Sequence, residues 1–114
     1  MNIKSWDEKD YREQVNQVFK KLEKSFENID PDIAEFDVAQ GAVTITFAGN
    51  KKMILSQQPS VRQIWVAVAS LGIAYHFNFD SNQNKWFDDK GQGIEIFSYI
   101  TSTSKQCSGI ELKL

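Results

Sequence analysis

An α+β two-layer sandwich is the fold class this chain predicts: an antiparallel sheet of about five or six strands, with an N-terminal and a C-terminal helix packed on one face. Three observations predict it. An apolar stripe of helical period runs from Tyr11 to Ile29, alternating apolar segments separated by short turns fill residues 34–87, and helical spacing returns at Ile96, Phe97 and Ile100. Strands joined by short turns are antiparallel neighbours. Two amphipathic helices flanking such a run are placed most economically on one face, which leaves the other wet.

The 114 residues suit a single domain over 1–114, long enough for a real core and too short for two. With 41% hydrophobic and 25% charged residues the composition is that of an ordinary soluble globular chain. No apolar run approaches the roughly eighteen residues of a membrane helix, so no membrane partner is expected. Met1-Asn2-Ile3-Lys4-Ser5-Trp6-Asp7-Glu8 turns acidic at once, with neither an apolar signal core nor a basic presequence. A cytoplasmic location is the expectation. The lone Cys107 cannot form an internal disulfide, and with only His76 as a partner it reads as a small side chain after a helix rather than a nucleophile.

Taken in order, Ser5 and Glu8 make a capping box, so a helix is expected to begin there. Tyr11, Val15, Val18, Leu22, Phe26 and Ile29 form its apolar stripe. Pro31 disfavours helical geometry at Asp30, which is where the helix is expected to end. At 100° per residue, Glu23, Glu27 and Asp30 fall on one flank of the stripe. A strand follows over Ala34–Val38, with Glu35 and Asp37 on one face and Phe36 and Val38 on the other. Gly41 turns the chain, Val43, Ile45 and Phe47 alternate with threonines, Gly49-Asn50 makes a tight hairpin, and Met53 and Leu55 continue the inward face. Gln63–Val68 is the next strand, Leu71-Gly72 a turn, and Tyr75, Phe77 and Phe79 another apolar face. Asp80-Ser81-Asn82-Gln83-Asn84 is turn chemistry before a short strand through Lys85-Trp86-Phe87, and Asp88-Asp89-Lys90-Gly91 is a second turn. A weak, serine- and threonine-rich helix over 94–105 is stopped by Gly109, and Ile110, Leu112 and Leu114 alternate as a final strand or extended tail.

Charge is distributed unevenly. Residues 1–40 hold ten acids against six bases, whereas residues 41–114 hold five against seven. From Ser25 to Asn50 there are five acids and no Lys, Arg or His. That predicts an anionic edge suited to cations or a basic protein surface, and it argues against nucleic acid there. Carboxylates stacked at i, i+4 cost a helix about 0.2–0.5 kcal/mol per pair. A nearby divalent ion would relieve the repulsion, and oxygen-only donors suit hard cations and Fe²⁺ without excluding Mn²⁺ or Ca²⁺. The plain alternative is a solvated face.

Between Ser56 and Val68 a second feature stands out. Ile64, Val66 and Val68 alternate with Gln63, Trp65 and Ala67, so the wet face of a half-buried strand carries a tryptophan. Such a residue is either covered or kept bare for a partner. His76 lies on the same wet side with Ala74 and Asn78. A sheet platform binding a protein or a single strand through Trp65, with no specific metal role, is therefore the competing reading. The Asp80-x-Asn82-x-Asn84 spacing starts like a calcium loop but fails, with Lys85 at the glycine position and Gly91 at the bidentate glutamate. No phosphate loop, zinc cysteine set or nucleophilic triad is present, and no enzymatic activity is expected.

At Gln58, Gln63, Ile64, Trp65 and Ala67, with a conservative Val66, the chain resembles the signature of the frataxin family. It departs from that signature at Ser56 and Gln57, and Pro59 comes one place early. Val43-Thr44-Ile45-Thr46-Phe47, Trp86 and Tyr75-His76-Phe77 add to the likeness, the last pointing to the bacterial CyaY branch. The resemblance implies a frataxin-like sandwich and an iron-binding accessory protein of iron–sulfur cluster assembly. Such a protein supplies iron to, or regulates, a cysteine desulfurase and its scaffold, as a monomer or as a metal-induced oligomer. It implies weak iron binding at Glu23, Glu27, Asp30, Asp32, Glu35 and Asp37. It also implies partner contacts at Gln58 and Trp65, beside which His76 is expected.

Overall fold

The structure is a computed structural model that describes residues 6–114. Helix α1 spans Glu8–Phe26, and six strands follow: β1 (Ala34–Ala39), β2 (Ala42–Phe47), β3 (Lys51–Gln58), β4 (Gln63–Val68), β5 (Ile73–Asp80) and β6 (Lys85–Asp88). Helix α2 spans Ile96–Ser108 and leads into an extended, unpaired tail. The strands pair antiparallel in sequence order, which leaves β1 and β6 as edges. This is the two-layer arrangement expected from the hydrophobic periods.

Alternation decides which residues face inward. Val43, Ile45 and Phe47 on β2, Met53 and Leu55 on β3, and Ile64, Val66 and Val68 on β4 are all essentially inaccessible. So are Tyr11, Val15 and Leu22 of α1 and Ile96 and Ile100 of α2, so both helices cover the same sheet face. Trp86 on β6 and Leu112 in the tail close the two ends of this core. Trp6 stacks on Phe79 with ring centroids 4.9 Å apart, anchoring the approach to α1 against β5.

Several boundaries differ from the sequence expectation. Ser5 lies outside the described residues, and α1 is capped by Asp7, whose carboxylate accepts from the Asp10 N–H at 2.9 Å. The helix stops at Phe26, not at Asp30. Glu27 and Ile29 donate to the Lys24 and Phe26 carbonyls at 3.4 and 3.0 Å, so turn bonds replace the helical ladder before the proline is reached, and Asp30 Oδ1 then accepts from the Asp32 N–H across Pro31 at 2.9 Å. Phe19 joins the buried face of α1 beside the expected stripe. Helix α2 starts two residues later than expected, because both Glu95 oxygens cap the N–H groups of Phe97 and Ser98 at 2.9 and 3.0 Å. It ends where Gly109 takes φ 77°, a left-handed conformation that glycine adopts without penalty.

Candidate functional site

The acidic region is built by the end of α1, the turn after it and β1. Glu23 is in the last full turn of α1, Glu27 is its C-terminal cap, and all six carboxylates from Glu23 to Asp37 are exposed. Because α1 ends at Phe26, Asp30 is placed by the turn and not by the helical wheel. Its carbonyl accepts from Ile33 and Ala34 at 2.8 and 3.1 Å, which aims the chain into β1. Phe26 then stacks on Phe36 at 5.6 Å and 28°, bringing the helix end against the edge strand. As a result Glu23, Glu27 and Glu35 border one open groove of about 380 Å³. No salt bridge engages any of the six carboxylates among the described residues.

Three features set the electrostatics. Glu23 and Glu27 sit at the negative end of the α1 dipole, where a carboxylate is disfavoured by about 0.3–1 kcal/mol. Glu35 and Asp37 lie on an edge strand, where charge also blunts unwanted strand pairing. Positive charges border the region on two sides: Lys21, Lys24 and Lys113 share a depression with Glu27, and Lys52 lies two strands from Glu35 along the Thr46 row. Among the described residues, no three His, Cys, Asp or Glu side chains are gathered into a metal-ligand cluster. The donor chemistry, oxygen only and open to water, fits a hydrated hard cation held by one or two carboxylates at a time, not a closed cage.

The second region is the wet face of the sheet, where the register brings Gln58, Trp65 and His76 together. Gln58 is opposite Gln63, and Trp65 lies between Ser56 and His76. The Trp65 and His76 rings stack at 4.1 Å and 12°. The indole N–H donates to Gln63 Oε1 at 2.8 Å, and the Gln63 amide donates to Asn78 Oδ1 at 3.1 Å and Asp89 Oδ2 at 3.2 Å. His76 Nδ1 is 3.5 Å from the same Asp89 oxygen, which closes the ring of contacts. Trp65 is thereby held flat and half-buried, with one ring face against His76. Gln58 donates to Ser56 Oγ at 3.3 Å. Gln57, which stands where the family signature has a basic residue, instead donates to the Gly41 carbonyl at 3.1 Å and ties down the β1–β2 hairpin.

Asp89 is the member of this group that sequence reasoning missed. It comes from the turn after β6, and its N–H donates to the His76 carbonyl at 2.8 Å. The turn is shaped by buried Asp88, whose carboxylate accepts from the N–H groups of Lys90, Gln92 and Ile94 at 3.2, 3.0 and 2.9 Å. Burial pushes the Asp88 carboxyl up, but the backbone donors outweigh it and hold the group below its ordinary value. Gln63 and Asn78 share the alternation that identified Trp65 and His76, so that signal was available.

Along the strands, Glu35 and Asp37 face the same side of the sheet as Trp65, with Thr44, Ile54 and Ala67 between Asp37 and the aromatic strand. Strands β1 and β4 are three spacings apart, roughly 14 Å. An anionic edge and an aromatic platform thus share one surface, joined by the uncharged side chains of Thr44, Ile54 and Ala67.

Comparison with known proteins agrees with this architecture. The profile of the frataxin-like domain matches residues 4–109. The iron-sulfur cluster assembly protein CyaY of Tolumonas auensis is 34% identical over 93 residues, covering 82% of this chain and 84% of that protein. CyaY of Pseudomonas fluorescens is 30% identical over 101 residues, covering 89% and 88%. Among solved structures, the frataxin of Psychromonas ingrahamii superimposes with a TM-score of 0.82 at 20% identity, over 94% of this chain and 96% of that one. A trimeric frataxin from the yeast Saccharomyces cerevisiae gives 0.67 at 18% identity, over 94% and 90%. The match over nearly the whole length, on an antiparallel sheet flanked by two helices, means that the chain belongs to the frataxin family, in its CyaY branch.

Proposed function

We propose that this protein is a non-enzymatic accessory factor of iron–sulfur cluster assembly that acts in the cytoplasm on a cysteine desulfurase and its scaffold, supplying iron or regulating them. Iron is its cargo, bound weakly by Glu23, Glu27, Asp30, Asp32, Glu35 and Asp37. The observation that carries this reading is the set of carboxylates at the negative end of α1 and along β1 that make no salt bridge among the described residues. Apart from the Asp32 N–H on Asp30, the fold offers this negative charge little compensation, so a cation or a basic surface supplies the favourable partner. The ferrous complex of the trimeric yeast frataxin supports iron as the cargo and metal-linked assembly as an alternative to a monomer. Gln58, Trp65 and His76 form the second contact, where a flat aromatic surface meets the scaffold.

The test is charge reversal. Glu27→Lys, Asp30→Lys and Asp32→Lys together should weaken desulfurase binding at least about tenfold, with the loss growing as salt is lowered. Binding unchanged by the triple reversal would remove the acidic region from the interface.

A further inference from the structure

The groove between the end of α1 and β1 is not simply a carboxylate surface. Its floor is aromatic and aliphatic: Phe26 and Phe36 stack within it and Ile29 borders it, while Glu23, Glu27 and Glu35 stand around it. Phe36 and Ile29 are only half-buried, although both belong to the rim of the hydrophobic core. A hydrated cation has no use for such a floor. Its water shell is satisfied by the carboxylates, and apolar carbon beside it stays wet.

We propose that this groove takes one large apolar side chain from a basic segment of a partner protein, with lysines or arginines on either side of the anchor meeting Glu23, Glu27 and Glu35. The inference rests on the partner-binding reading of the acidic region and says what that partner presents. Charge complementarity picks the occupant. The groove's own residues carry three acids and no base; Glu27 also borders the neighbouring depression lined by Lys21, Lys24 and Lys113, which leaves Glu23 and Glu35 as the acids without a lysine in a shared depression. An acidic or neutral apolar segment would leave the three carboxylates uncompensated. The apolar anchor supplies the specificity that charge alone lacks, because a central desolvated side chain dominates binding while rim charges set approach and register. Iron and the segment then draw on the same carboxylates, so each weakens the other by the same factor.

The experiment uses the full chain, ¹⁵N-labelled, titrated with a capped peptide Gly-Lys-Arg-Leu-Lys-Arg-Gly and with a twin in which serine replaces leucine. The leucine peptide should shift the amides of Phe26, Ile29, Ala34 and Phe36 and bind about fivefold or more tightly than its twin, the effect of burying one leucine-sized group. Phe36→Ala should remove that preference without weakening the serine peptide, and Ile29→Ser, in the connecting turn, repeats the test should the first variant loosen the fold. Equal affinity for the two peptides, or leucine-dependent shifts confined to another face, would overturn the proposal. A parallel titration with Co²⁺ separates it from the iron reading. A preserved metal response over residues 23–37 without leucine preference defeats the groove alone, and leucine preference without a metal response defeats the iron site alone.

Discussion

A single phenol joins α1 to the connection between β3 and β4. Tyr11 is fully buried, its hydroxyl donates to the Gln63 carbonyl at 2.6 Å, and it accepts from the Gln58 N–H at 2.9 Å. Both partners flank the short helical turn Pro59–Val61, so the phenol fixes the strand that carries Trp65 and the residue beside it. Burial raises the phenol above its ordinary value, against the lowering effect of the Gln58 donor. Tyr11→Phe keeps the volume and strands both backbone groups, so stability should fall by about 1–3 kcal/mol. Urea denaturation reads this directly, and a loss below about 0.5 kcal/mol would mean that the phenol is a spectator. From the sequence Tyr11 is only the first residue of an apolar stripe. Its polar end finds partners 47 and 52 residues away, which periodicity cannot report.

At the scale of elements, the strands were legible because a period of two puts every inward residue of β2, β3 and β4 in view. The end of α1 was not. The proline constraint acts on Asp30 alone, whereas the Ile29–Phe26 turn bond has already ended the helical ladder by then and the Phe26–Phe36 stack holds the helix end against β1. The difference bears on function: Asp30 leaves the helix flank, and Glu35 takes its place beside Glu23 and Glu27. The aromatic platform was half legible for the same reason. Trp65, His76, Gln63 and Asn78 obey strand alternation, but Asp89 reaches them from a loop whose shape depends on Asp88.

That loop gives a prediction with a definite sign. The folded state holds the Asp88 carboxyl below its ordinary 3.8, so it favours the ionised form. The stability this contributes is therefore fully present above pH 3.8 and is lost as pH falls through the lower folded value. Asp88→Asn should lower the urea midpoint near neutral pH, and the gap from the parent should close as pH drops below that range. A gap independent of pH would contradict the assignment. The amides of His76 and Asp89 should shift in the same variant, since the loop carries one and bonds the other.

Viewed whole, the molecule buries its core on one face of the sheet and carries Trp65, His76, Glu35 and Asp37 on the other, while Glu23 and Glu27 reach the acidic edge from the end of α1. The helices and the apolar face of β2, β3 and β4 hold the core, and the other face carries Glu35, Asp37 and a half-buried tryptophan stacked on His76. Negative charge at the end of α1 costs stability where it stands, which is the physical ground for the proposed binding role. The most direct measurement is an anaerobic Fe²⁺ titration of the ¹⁵N-labelled chain, followed amide by amide. Shifts and broadening should concentrate over residues 23–37 and be abolished when Glu27, Asp30 and Asp32 become lysine. Changes centred instead on His76 and Asp89, or on the Asp80–Asn84 turn, with residues 23–37 unmoved, would contradict the proposed iron site.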